Sequence, residues 1–233
     1  MLKYIYQSTI CETYIYLFCM HTFKYYYNIH NYTNVKVMIM NEKRDLVRKG
    51  SRILVPSEYR ALKEELKSDY KMIVDGLINT GARVVEFWAI VKHPEWFSPG
   101  RRIIDLPKIG AAKKKKMKDT DRTIKLTVNG VYAMQNIYNN GIKYKSRSSI
   151  NQALKRAAIR AGINPVGMNE KAFRKILISW LVEVRKDRGI DSLDITSSMG
   201  HSEDTMMEHY LGMGFTRDEH NDMLEFTKGW GEQ

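Results

Sequence analysis

Cysteine is almost missing from this chain. Its 233 residues include only Cys11 and Cys19. That excludes a disulfide-stapled secreted scaffold and fits a reducing, cytoplasmic setting. The stretch "CETYIYLFCMH" has no second Cys/His pair to complete a zinc site. Long apolar runs are missing too. The most apolar segment, "QSTICETYIYLFCMHTF", is interrupted by Glu12 and falls short of the roughly 20 apolar residues that a membrane helix needs. It also lacks the smooth core and small-residue cleavage site of a secretory signal. No fixed-period repeat or coiled-coil heptad occurs. Acidic residues are in deficit: 26 Asp+Glu face 38 Lys+Arg, a formal charge of +12, with an isoelectric point near 9.5. Such an excess favours a polyanionic partner over a small neutral substrate.

What is present suits a soluble globular protein, 43% apolar and 27% charged. Its length suits one medium domain with an appendage, or two small domains. Residues 1–50 are crowded with Tyr, Ile, Asn and His before the regular patterns begin, and form a non-catalytic N-terminal segment in this reading. "KVMIMNEKRDL" offers Met38 or Met40 as the native start, with the residues before it poorly ordered or non-native. Residues 51–233 then read as one mostly α domain with a small antiparallel hairpin and a C-terminal tail, 212–233.

In "PSEYRALKEELK", Pro56 and Ser57 signal a helix start, and Tyr59, Leu62 and Leu66 follow at helical spacing. Tyr70, Ile73, Val74, Leu77 and Ile78 form a second buried stripe that ends near Gly81. "ARVVEFWAI" restarts a helix beyond that turn. "RRIIDLP" and "RTIKLTV" read as two strands flanking the lysine run Lys113, Lys114, Lys115 and Lys116, a hairpin with a basic loop placed to meet DNA phosphates. "SSINQALKRAAIRAG" has a Ser cap and a closing Gly162. "NEKAFRKILISWLVEVRK" turns Phe173, Ile176, Leu177, Trp180, Leu181 and Val184 to the core. Two short helices, Leu193–Met199 and Glu203–Leu211, bracket Gly200 and His201, with Ser202 as cap of the second and Met206 or Met207 turned inward.

Four elements carry chemistry. "TGARVVEF" sets Arg83 at a helix start after a glycine turn. The basic hairpin ends in "KMKDTDRTIKLT". "NEKAFRK" projects Lys171 and Arg174 from one helix face. "MGHSEDTMMEHY" sets His201 nine residues before Tyr210. Each has a plain structural reading: Arg83 and Glu86 as a surface i, i+3 pair, Glu86 as the group that holds the turn, Lys171 and Arg174 as a polar helix face. A metal site from His201, Glu203, Asp204 and His209 is disfavoured, because His201 and His209 lack the i, i+4 spacing of a shared face.

Taken together and in order, these motifs resemble the catalytic domain of tyrosine recombinases, the phage-integrase family, over roughly Val55–Gly229. That family carries its first arginine in a TGxRxxE turn, a lysine on a β-hairpin, an HxxR motif, and GH nine residues before the nucleophilic tyrosine. The resemblance implies the tyrosine-recombinase catalytic-domain fold and a site of Arg83, Lys118, Lys171, Arg174, His201 and Tyr210. Lys171 departs from the family histidine in "KAFR", as archaeal and fusellovirus integrases often do, which points to an archaeal virus or plasmid. A lysine donates to phosphate but does not accept a proton near neutral pH unless its pKa is strongly lowered.

The implied reaction is site-specific recombination of double-stranded DNA through a 3′-phosphotyrosine on Tyr210, with no metal or cofactor, by a homo-oligomer assembled on DNA. Guanidinium groups clamp phosphate in bidentate fashion. His201 donates or relays a proton. Lys118 or Lys116 protonates the leaving 5′-oxygen. The tail's Phe215, Met223, Leu224, Phe226 and Trp230 are candidates for contact between protomers. A type IB-like topoisomerase and a non-catalytic DNA-binding relic are the alternatives.

Overall fold

The computed structural model describes residues 46–48, 50–107, 121–200, 202, 204, 206 and 213–232. Its elements are β1 (Val47–Arg48), β2 (Ser51–Arg52), α1 (Pro56–Glu64), α2 (Ser68–Thr80), α3 (Val84–Lys92), a 3-10 turn (Pro94–Trp96), β3 (Phe97–Ser98), β4 (Ile103–Leu106) and β5 (Arg122–Lys125). They continue with α4 (Val128–Asn140), α5 (Arg147–Arg160), α6 (Glu170–Arg188), α7 (Ser192–Met199) and α8 (Arg217–Phe226). The fold is mostly helical with a three-stranded antiparallel sheet, β3-β4-β5. Among the described residues no helix is long and apolar enough to cross a membrane.

Helix α6 organises the core because its middle stretch, residues 176–182, is buried on every side and apolar except for Ser179. Phe173, Ile176, Trp180 and Val184 face one hydrophobic cluster, with Leu62, Ile73, Leu77 and Phe87. Leu177, Ile178, Leu181 and Val182 face a second, with Ile195, Met199, Met206 and Trp230. The core face expected for this helix is therefore all buried, and so is Met206, the inward methionine. Trp180 donates its indole N–H to the Leu54 carbonyl at 2.9 Å. That partner keeps a polar atom satisfied inside the core.

Several elements escape the periodic reading. Helix α4 begins at Thr127, whose Oγ1 accepts from the Gly130 N–H at 2.8 Å, but Gly130 and the asparagines dilute its helical signal. Strand β3 has two residues, and the β1–β2 hairpin, Val47–Arg52, spans position 50. Helix α1 stops at Glu64, earlier than its pattern suggests, and Leu66 is buried from the turn beyond it.

Helix α8 starts with a reciprocal box: Thr216 N–H to Glu219 Oε2 at 2.7 Å, and Glu219 N–H to Thr216 Oγ1 at 3.3 Å. It packs on α6 and α1. Met223 and Trp230 are buried in their own chain, while Phe215, Leu224 and Phe226 pack against the same core. Here the tail's apolar side chains are engaged within one chain. Cations and carboxylates tie it down as well, Arg60 to Asp222 at 2.6 Å among them.

Candidate active site

The site grows from the turn between α2 and α3. Thr80 closes α2 by bonding the Gly76 carbonyl at 2.6 Å, and its hydroxyl accepts from the Ala82 N–H at 3.2 Å. Gly81 then takes φ +58°, and a Cβ there would lie 2.6 Å from Met199 Sδ. Handedness and crowding both call for glycine. Arg83 follows as N-cap of α3. Its N–H donates to Glu86 Oε2 at 2.7 Å and its Nη1 to Glu86 Oε1 at 2.5 Å. The expected i, i+3 pair exists, and Glu86 does hold the turn.

Glu86 also does more. Arg122, the first residue of β5, places Nη2 2.7 Å from Glu86 Oε2. Arg174, one turn into α6, lies 3.8 Å from the same oxygen. Arg174 is buried, and it donates to the Gly81 carbonyl at 2.8 Å and to the Met199 carbonyl. It thereby fastens the C-terminal ends of α2 and α7 together. Gly200, which ends α7 at φ +61°, abuts Arg122: a Cβ there would sit 2.9 Å from Arg122 Nη1. Three guanidinium groups from three distant segments thus converge on one carboxylate.

The charges decide what such a cluster wants. Three cations and one anion leave a formal excess of +2. The Arg122 and Arg174 side chains are only 11% and 9% exposed, while Arg83 is 39% exposed. Burial pushes the Glu86 carboxyl up, but Arg122, the Arg83 N–H and the Arg83 side chain outweigh it and hold the group below its usual range. Glu86 is therefore an anion at neutral pH, and it orients the arginines without neutralising them. Arg122 Nε is buried with no hydrogen-bond partner among the described residues, an unmet donor in a cationic site.

Of the residues expected from sequence, Arg83 and Arg174 come together here. Lys171 is exposed in the first turn of α6, where its N–H is capped by Asn169 Oδ1 at 3.0 Å. Lys113, Lys114, Lys115, Lys116, Lys118, His201 and Tyr210 lie outside the described residues. Arg122 was not anticipated. A strand alternates its faces, and Arg122 shares a face with buried Ile124. An arginine in register with a core isoleucine was the available signal.

The described fold is the tyrosine-recombinase catalytic-domain fold that the motif order implied. Among solved structures it resembles the Tn1549 transposon integrase (residues 82–397) in complex with circular intermediate DNA. The TM-score is 0.51 at 14% identity, over 74% of this chain and 66% of that one. A variant form of that integrase with transposon right end DNA gives 0.53 at 14% identity, over 79% and 66%. The XerA recombinase gives 0.50 at 18% identity, over 74% and 62%. The chain thus spans just under two thirds of the length of these structures, and at such identities the likeness is one of fold. No family model and no curated protein sequence matches the chain.

Proposed function

We propose that this chain cuts and rejoins DNA strands as a site-specific recombinase or integrase, using Tyr210 as nucleophile. The observation that carries the reading is the excess charge of the arginine cluster on Glu86. A phosphodiester carries one negative charge, and its five-coordinate transition state carries two. A preorganised cluster with an excess of +2 therefore gains more from the transition state than from the substrate, which is the requirement for catalysis. The basic composition, the motif order and the fold of DNA-bound integrases support the same reading.

In this mechanism the Tyr210 oxygen attacks the scissile phosphorus, passing its proton to His201 as the P–O bond forms. The bond to the 5′-oxygen breaks, and Lys118 protonates that oxygen as it leaves. Arg83 and Arg174 hold the non-bridging oxygens, with His201 as a further donor and Lys171 as a point charge at the rim. Arg122 steadies Glu86 and adds positive charge. A 5′-hydroxyl from a partner duplex then attacks the phosphotyrosine, giving its proton back to Lys118; the DNA phosphodiester re-forms, and Tyr210 leaves and takes its proton back from His201. Pairing two duplexes requires several copies assembled on double-stranded DNA. The lysines Lys113–Lys116 would hold the backbone as sequence-independent phosphate contacts. Residues 1–50 stand outside this catalytic unit, 51–233. Lys171 in "KAFR" favours an element of an archaeal virus or plasmid, acting in the host cytoplasm.

The test is a nicked suicide duplex, on which the cleaved end diffuses away and traps the intermediate. A covalent protein–DNA band is expected, and it should vanish in Tyr210→Phe. A band that survives this substitution removes Tyr210 as nucleophile; its absence from every attachment-site DNA tried refutes the enzyme.

A further inference from the structure

A groove of about 530 Å³ begins at Val84, the residue after Arg83, and is lined also by Val85, Trp88, Lys92, Tyr144 and Arg147, among others. One wall is the face of α3 that starts at the residue after Arg83. From Val84 to Lys92 it runs about 12 Å at 1.5 Å per residue. The other wall is formed by Tyr144 and Arg147 of the basic segment "KYKSR". The Tyr144 ring lies 5.1 Å from that of Trp88 and is 70% exposed, and Val85 is 61% exposed. Arg147 is anchored to the buried Glu170 at 3.0 Å, next to Lys171 in the chain.

Charge separates this groove from the larger cavity of about 670 Å³ between α1, α2, α4 and α8. That cavity mixes both signs, and its Arg60–Asp222 and Lys63–Asp75 pairs close on themselves at 2.6 and 2.7 Å. Among the described residues no carboxylate lines the groove beside α3; its Lys92 and Arg147 are both exposed, Arg147 held by Glu170 at 3.0 Å and the lining His93 by Glu95 at 2.7 Å from outside the lining. A flat aromatic face beside exposed cations matches an anion that carries its own flat apolar faces. A paired base hides its faces in the stack. An unpaired nucleotide offers one, with its phosphate a short reach away.

We infer that this groove seats unpaired nucleotides of a DNA strand next to the cleavage site, with Tyr144 as stacking platform and Lys92 and Arg147 as phosphate contacts. The inference rests on the reading above, which supplies the occupant. A strand whose 5′-hydroxyl has been freed must leave its complement before it can attack another duplex. A site that receives the freed bases lowers the cost of that melting and holds the strand for transfer.

Binding of the full chain to two fluorescent duplexes tests this: one fully paired, one with two unpaired bases, one of them 2-aminopurine. A preference of about tenfold for the unpaired probe is expected, the order of one stacked base, with a change in 2-aminopurine emission. Tyr144→Ala should bring that preference close to one, and Tyr144→Phe should retain it. Equal affinity for the two probes overturns the inference, as does a preference that survives Tyr144→Ala. A groove made for a protein partner gives the first of these results. The suicide-duplex assay keeps the two readings apart. A covalent band without the preference sinks the groove alone, and the preference without a band sinks the recombinase alone.

Discussion

Arg122 offers the sharpest test of the arginine cluster, because its contributions to stability and to chemistry differ in size. Arg122→Met removes one charge-assisted bond to Glu86, made at 2.7 Å, worth about 1.5–3 kcal/mol. The same change removes the buried Nε that has no partner among the described residues, which returns about 1 kcal/mol of desolvation cost. Glu86 keeps Arg83 at 2.5 Å and Arg174 at 3.8 Å, so no carboxylate is stranded. The net fall in stability should be about 0.5–2 kcal/mol, or roughly 1–8 °C in melting temperature for a domain of this size. Cleavage should suffer more. Loss of one preorganised cation at a developing dianion costs on the order of 10²-fold. Urea unfolding and single-turnover formation of the covalent complex measure the two effects. Arg122→Lys, which keeps the charge but not the fork, should recover part of the rate. Wild-type cleavage by Arg122→Met would refute the cluster argument, and so would a stability loss large enough to account for the rate.

Two further outcomes follow from the same turn. Glu86 has its folded pKa depressed, so its stabilisation is present above the ordinary value of 4.5 and is lost as pH falls through the folded value. Glu86→Gln should therefore be less stable than wild type at pH 7, with the gap closing in acid; a gap that widens below pH 4.5 would contradict the ion pairs. Gly81→Ala meets both φ +58° and Met199 Sδ at 2.6 Å, and should cost about 1–3 kcal/mol by thermal melting. Adding Met199→Ala should restore little, since the backbone strain remains.

Much of the scaffold was legible because it rests on local rules. The stripe Ile73, Val74, Leu77 and Ile78 is buried as its spacing requires, and α2 ends at Gly81. Arg83 caps α3 as "TGAR" implies. Helix α4 was not legible, since its cap lies in a segment of low helical propensity and its burial comes from packing against α2. Strand β3 is defined only by the register Phe97↔Ile104 with β4, and two residues carry no period.

The sequence by itself determined the chemistry available: two arginines at helix starts, a basic hairpin, a histidine and a tyrosine nine residues apart, and a net charge suited to DNA. Only the tertiary structure decided that Glu86 is the shared partner of three arginines rather than of one. Arg122 and Arg174 reach it from 36 and 88 residues away. Periodicity reports which face of an element is apolar. Which distant cation meets a buried carboxylate depends on how α3, β5 and α6 pack around a common core.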